Sequence, residues 1–556
     1  MVTRALRAVA ILTVVATGAA LTASSTLPTT LRHSSKVAAA QWKASREHQP
    51  EEKAELLAGG RQQLAIQAAP HKRVPAHSFF TATQQARKIK SRRSSKPDSH
   101  TWHLYGKTPL NSDIAGYTST AGYGLENLSG RITNYALIPA TANSPDIVIA
   151  SESYGGVWET RDLGKHWKSI GNKLPTQVVG AVGYTKALGG TIIAVTGDGS
   201  FGRYSRAGAG AYWTNNNGKK WHHSRGLPSD AFAFKVAVDQ AHPKIVYAAT
   251  GGGLFRSTNA GRSFKNVKLP TGPCKGKPMT AKFCLLANQV TDVVVQPKGG
   301  SSSTKGGAVL AAVGWRDGAK TYPNGKPQSP NNGLYSSATG KPGSFKKLAA
   351  TGFASQDRIG RVALGEAIGA DQDHNYVYAA VQDAVLDQGG TPAVDVPGGP
   401  APAHAPTVFN GIYVSNDFGQ TWVEMSDESQ LQQPASGSAL AGVAQSSNYG
   451  PGVQSWYNLW IQPDPSRQVN GVPTRLLFGL EEVWMNDDTQ VPQTGPSNFH
   501  VVGRYYAGTS CVFLQTGLPV CPTNRDEALD TTTTTHPDQH AAIFVPHKDG
   551  GVTLFA

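Results

Sequence analysis

The chain has 556 residues and a formal net charge of +15, with 39% of its residues hydrophobic and 16% charged. That length accommodates more than one average domain or a single large all-β domain. The charge is uneven, because residues 1–100 hold 16 Lys or Arg against 5 Asp or Glu, a net +11, which leaves only about +4 for the remainder. The basic excess is densest at Arg87, Lys88, Lys90, Arg92, Arg93 and Lys96 and has no interleaved aromatics, so it reads as a solvated linker and no nucleic-acid partner is expected.

The first predicted element is a signal peptide over residues 1–23. Arg4 and Arg7 precede an apolar run from Ala8 to Ala20, and small residues follow to Ala23. The run is shorter than the ~20 residues a membrane span needs, and no second candidate follows it. The expectation is a secreted protein with no stable membrane insertion once the signal is removed. Residues 24–99 are rich in Ser, Ala, Lys, Arg and Gln and read as a basic, low-complexity, disordered tether or pro-segment.

From residue 100 to 556 a repeat takes over. Its unit is an alternating strand, a turn with Pro or Asp, and a hydrophobic strand ending in small residues. Seven copies occur, at 132–150, 178–195, 234–249, 290–313, 362–381, 457–479 and 541–556. A Gly-aromatic strand follows in most, as in Gly156-Val157-Trp158, Gly253-Leu254-Phe255, Gly333-Leu334-Tyr335 and Gly411-Ile412-Tyr413. Four times the next segment is [Ser/Thr]-x-[Asp/Asn]-x-Gly-x-x-[Trp/Phe], at Thr160–Trp167, Thr214–Trp221, Ser257–Phe264 and Ser415–Trp422. Degenerate versions run from Ser336 to Phe345 and start at Asn486. The Asp or Asn side chain caps turn N–H groups, Gly takes the left-handed conformation, and the aromatic returns to the core. Four strands per unit make a propeller blade. The expected fold class is all-β, a seven-bladed β-propeller with an incomplete last blade, because the seventh unit stops after two strands. Either Trp102–Tyr105 supplies a closing strand or the chain is part of a longer protein, the second being preferred; an unfinished edge would invite partners.

The turn motif resembles the Asp-box, or BNR repeat, of sialidases, xyloglucan-degrading glycoside hydrolases and sortilin-type receptors, where it lies away from the binding face. The stretch Val148–Trp158 resembles the opening blade of xyloglucan-specific glycoside hydrolases, in which an Arg-Thr-Asp-Val-Gly-Gly segment carries a catalytic Asp two positions before the first glycine. Ser153 stands at that position here. A serine cannot act as a carboxylate base, and the family builds its cleft between two propellers where this chain has one. Sialidases hold a substrate carboxylate with arginines, one in an Arg-Ile-Pro segment; Arg131-Ile132 is followed by Thr133 instead.

Propeller sites form on one face, from second-to-third loops and the openings of the innermost strands. The catalytic candidates are Glu152, Asp317 and Asp383, with Asp198 and Glu482 on equivalent loops. Tyr154, Arg131, Arg361, Trp315, Trp456 and Glu481 are the substrate-binding candidates, and Trp460 and Trp484 are assigned to packing. His536, Asp538 and His540 alternate on an extended segment and suit a metal such as Zn²⁺, although a polar lining of an inner strand is favoured. Cys274 with Cys284 and Cys511 with Cys521 read as two local disulfides, the nearest of three pairings. No nucleotide fingerprint, phosphate loop or Ser-His-Asp arrangement emerges, and no cofactor is expected. The leading reading is a secreted carbohydrate-active propeller, either a divergent glycoside hydrolase or a glycan binder that lost its base. A protein-binding propeller, sortilin-like or assembly-factor-like, is the alternative, and a sialidase the third.

Overall fold

Short apolar strands broken by glycine turns cannot bury both faces alone, and in the computed structural model they stack as radial sheets. Residues 130–556 are described except 200–205, 230, 272–288, 315–330, 388–406, 439, 441–449, 487–497, 506–511, 514–518, 521–533, 536–537 and 548, with isolated positions 65, 69, 81–82, 84–85, 88, 110–111 and 127–128 before them. The chain divides into Met1–Pro50 and Glu51–Ala556, and every described residue lies in the second unit. The signal, both cysteine pairs, Trp102–Tyr105, Trp315, Asp317 and His536 fall outside the described residues. Among the described residues no helix is long and apolar enough to cross a membrane.

Blade 1 shows the plan. Ile132–Ile138, Ile147–Glu152, Gly156–Thr160 and Lys168–Ser169 pair antiparallel in chain order. The same four-stranded order recurs over 179–223, 233–266, 290–347, 359–427 and 460–505, giving blades 2 to 6, and Thr534–Thr535 adds a parallel strand to blade 6. The seventh repeat contributes a two-stranded ribbon, Ile543–Pro546 with Val552–Phe555. The described residues form six four-stranded blades and this ribbon, where seven blades with an incomplete last one were expected. Ala542 and Phe544 of the ribbon pack with Trp460, Leu477 and Val483 of blade 6, and Phe555 meets Tyr135 of blade 1 with ring centroids 6.1 Å apart. The inner strands are largely apolar, with polar residues such as Thr291 and Asp292 near their first residues; Val290–Val295 and Val309–Val313 are buried at every position.

The four turn motifs share one hydrogen-bond scheme. In blade 1 the Thr160 hydroxyl donates to Asp162 Oδ1 (2.9 Å) and accepts from the Gly164 N–H (3.0 Å), while Asp162 Oδ1 accepts from the His166 N–H (2.9 Å). Thr214 with Asn216, Ser257 with Asn259 and Ser415 with Asp417 repeat it. The glycine takes positive φ as expected, and so does the residue before it: Leu163, Asn217, Ala260 and Phe418 lie at φ 54–56°. In the degenerate turn of blade 4, Ser337 Oγ accepts from the Gly340 N–H at 2.8 Å.

A second regularity sits at the other end of the sheets. In blades 1 to 5 the first strand carries one extra residue against the second: Thr133, Gly180, Phe234, Thr291 and one of the pair Gly360-Arg361. A bulge at this place bends the strand and re-aims a side chain toward the rim.

Candidate functional site

The bulged ends of the inner strands surround a cavity of about 90 Å³ on the blade axis, room for a few water molecules or one small group. Thr133, Gly180, Phe234, Thr291 and Arg361 from the bulges line it, with Arg131, Asp198, Lys235, Asp292, Tyr457, Trp460 and His540.

Its charges are paired around the ring. Arg131 forms a close ion pair with Asp198, and its Nη1 donates to Tyr457 Oη at 2.6 Å. Arg131 Nη2 donates to Ser153 Oγ (2.7 Å), which in turn donates to Asp198 Oδ2 (2.6 Å). Burial is the largest single influence and would lower Arg131, but the Asp198 carboxylate and the Tyr457 hydroxyl together hold the guanidinium above its ordinary value. Lys235 Nζ lies 2.8 Å from Asp292 Oδ1 and donates to Leu364 O at 3.2 Å. Asp292 Oδ2 accepts from the Leu364 N–H at 2.9 Å. Arg361 donates to the carbonyls of Tyr457 (2.5 Å) and Leu459 (3.3 Å), and burial pulls it down to about 10, still charged at neutral pH. The Tyr457 ring meets His540 edge-on, 4.4 Å between centroids.

Arg131 and Arg361 thus reach one cavity but not from one repeat position. Arg131 precedes the paired residue Ile132, whereas Arg361 lies in the bulge that follows Ile359. Lys235 and Asp292 are not among the residues expected from the sequence; in the structure each directly follows a bulge residue, Phe234 or Thr291, at the same point of its repeat. Trp460 is buried, as expected of a packing residue, yet also lines the cavity.

Glu152, Asp383 and Glu481 do not line this cavity, and their carboxyls stand in differing states. Glu152 is half-buried beneath its own turn, where added Cβ atoms at Gly130 and Gly155 would meet its side chain. Burial pushes its carboxyl up, against hydrogen bonds from Trp158 and the Gly130 backbone. Asp383 is buried; its Oδ2 accepts from Arg358 (2.7 Å) and Asn410 (3.0 Å), and its Oδ1 accepts from the N–H groups of Val385 and Leu386 in the helix Ala384–Asp387. Glu481 is buried and accepts from the N–H groups of Gly452 and Gln454, each at 2.8 Å. Burial, with a smaller push from neighbouring Glu482, raises it to about 7. Tyr154, one residue from Ser153, is 55% exposed, and Trp456 packs its ring on Tyr457 at 5.6 Å. Asp538 and His540 are described without His536, and among the described residues no three His, Cys, Asp or Glu side chains converge as metal ligands.

No family model matches the chain. Over 88 residues it is 31% identical to a xyloglucanase of a Paenibacillus species, which amounts to 16% of this chain and 8% of that protein. Among solved structures it is similar to a GH74 enzyme of Niastella koreensis (TM-score 0.38, 12% identity, 65% of this chain and 46% of that one). It is likewise similar to the GH74 xyloglucanase of Xanthomonas campestris (0.38, 15%, 70% and 48%) and to YCF48 of Cyanidioschyzon merolae (0.33, 12%, 67% and 86%). The chain spans about half the length of the two GH74 structures and under a tenth of the Paenibacillus xyloglucanase.

Proposed function

We propose that the chain is an exported BNR-type propeller that binds carbohydrate at its axial mouth without cleaving it, with the C-terminal ribbon in a seventh blade position. The observation that carries this reading is the engagement of the carboxylates. Asp383 and Glu481 accept from ion-pair or backbone donors, Glu152 is held by Trp158 and Gly130, and Ser153 occupies the place of the expected base. Two-carboxylate hydrolysis needs one group free to protonate the leaving oxygen and another free to attack or to activate water.

A glycan is supported over other ligands by the stretch 31% identical to a xyloglucanase and by the chemistry of the mouth. Hydroxyl, guanidinium and carboxylate groups line the cavity, and Tyr154, the residue after Ser153, is exposed, a combination that suits sugar hydroxyls with stacking on a pyranose face. The test is a glycan array and polysaccharide pull-down with reducing-end release assayed in the same wells. Retention without release is the expected result. Release would make the protein a hydrolase, and retention of no glycan would end the carbohydrate reading.

A further inference from the structure

The small net charge beyond residue 100 conceals two opposed halves. Residues 156–350 hold 27 Lys or Arg against 7 Asp or Glu, a net +20, and residues 351–556 hold 7 against 21, a net −14. The first stretch is the outer part of blade 1 with blades 2 to 4, and the second is blades 5 and 6 with the ribbon.

The positive charge is placed by the fold. First strands start at the mouth, so the loops joining first to second strands and the turns joining third to fourth lie on the far face. Neighbouring connections touch there: the Thr185 hydroxyl donates to Pro243 O, the Ala260 N–H to Lys244 O at 2.8 Å, and the Ser301 N–H to Gln372 O at 3.0 Å. Each turn is also seated on the blade before it, as where Trp221 Nε1 donates to Ile170 O at 2.9 Å. In blades 2 to 4 these connections carry exposed Lys186, Lys219, Lys220, Lys244, Lys298, Lys305 and Lys341 against one carboxylate, Asp239, which is buried and held by His242 at 3.0 Å. The other described carboxylates of the stretch are engaged elsewhere: Glu159 with Arg161, Asp162 with His166, Asp198 with Arg131, and Asp292 with Lys235. In blade 5 the same connections hold Asp371, Asp373 and Asp417 and no Lys or Arg.

The character of the arc selects its partner. Its one arginine, Arg262, lies over the Trp213 ring at 4.1 Å, which leaves lysines, hydrated point charges without the planar fork that reads bases or single phosphates. Trp221, Phe264 and Phe345 are 2, 3 and 4% exposed, against 38% for Trp167 of blade 1, so the arc offers no ring on which bases could stack. Leu188 is the only large apolar residue exposed in these connections, too little for the core of a protein interface. A second copy is a poor match, since among the described residues only Asp357, Asp371 and Asp549 of the acidic half are exposed carboxylates.

We propose that the far face of blades 2 to 4 binds a linear acidic polysaccharide. Its anionic groups follow the lysines from blade to blade by ion contacts that release counterions, and the aspartates of blade 5 end the track. This face is opposite the mouth, so the proposal does not rest on the glycan reading made there.

The experiment titrates the full chain calorimetrically with polygalacturonate at about 50 and about 200 mM salt, beside neutral dextran, duplex DNA and anionic vesicles. The expected result is binding of polygalacturonate that falls steeply with salt, and none of dextran. Lys219→Glu with Lys220→Glu, and Lys298→Glu with Lys305→Glu, should each weaken it at least about tenfold and flatten the salt slope by about two. Lys244→Glu and Lys268→Glu are matched, since both lysines are exposed in blade 3, but Lys268 follows the fourth strand and lies outside the far-face connections. Only the first should weaken binding, and neither should move the melting temperature. No salt-sensitive binding would overturn the proposal, and so would equal losses from the matched pair, a sign of attraction by charge at large. Tighter binding of DNA or vesicles would reassign the face, and salt-sensitive dimers in sedimentation would assign it to a second copy.

Discussion

Ser153 Oγ donates to Asp198 Oδ2 at 2.6 Å, so the residue at the expected catalytic position is a hydrogen-bond partner of a buried ion pair. The place is taken by packing chemistry, and a carboxylate there would face Asp198 with one guanidinium to serve both. We predict that Ser153→Asp lowers the unfolding free energy by about 2 kcal/mol and yields no reducing-end release from any retained polysaccharide. Release from this variant would show that the base alone was missing.

The Arg131–Asp198 pair is the second target. Asp198→Asn leaves a largely buried guanidinium without its countercharge and is expected to cost about 3 kcal/mol in urea unfolding. Arg131→Met combined with Asp198→Leu should recover much of that loss. Simple additivity of the single changes would mean that the two groups act independently.

Glu481 gives a pH signature. Its carboxyl is raised to about 7 in the fold from an ordinary value near 4.5, so the native state holds a proton that the unfolded chain releases first. Its contribution is full below about pH 4.5 and is lost as the pH climbs through 7, a fall on the order of 3 kcal/mol. Chemical unfolding at a series of pH values should show that slope in the parent and a flatter profile in Glu481→Gln. An unchanged slope in the variant would move the effect to other groups.

Two glycines form a matched pair. Gly261 and Gly189 share a φ of +80°, but a Cβ at Gly261 would lie 2.5 Å from Ile193 Cγ1, whereas at Gly189 nothing lies within 4 Å. Gly189→Ala should cost about 1 kcal/mol for the backbone alone. Gly261→Ala should cost about 3 kcal/mol, because the turn must also lift off blade 2. Equal losses would mean that the seating of the turn carries little energy.

Tyr154 tests the exposed turn after Ser153 without touching the core. It is 55% exposed, so Tyr154→Ala is expected to leave thermal unfolding in place and to weaken glycan retention about tenfold. Unchanged retention would remove the ring from the binding surface.

The strands were legible in the sequence because alternation and the glycine turns recur at fixed places; Gly156, Gly253, Gly333 and Gly411 all open or sit in third strands as read. The site was legible only in part. Arg131, Arg361 and His540 could be placed toward the inner-strand openings, since position in the repeat determines radius and height. Lys235 and Asp292 could not, because the one-residue bulges that aim them leave no mark in the hydrophobic pattern. Nor could the engagement of Asp383, whose partners Arg358 and Asn410 come from a strand approach and a third strand respectively. The exposure of Trp167 was equally hidden, since its motif is the same as those of its buried counterparts and only its neighbour differs.

The extra residue at the head of the inner strand in blades 1 to 5 sets the rim apart from the wall. Beyond Thr133, Gly180, Phe234, Thr291 or Gly360-Arg361 the ladder regains its pairing, so the wall below is insulated from what stands above it. Exchanging one such side chain alters the floor of the mouth blade by blade while every other residue keeps its face of the sheet. The five positions are not equivalent, since a Cβ at Gly180 would lie 2.0 Å from Gly197 O and the Thr133 and Thr291 hydroxyls donate to Val179 O and Val362 O of the next blade, so retuning the rim also touches the joints between blades.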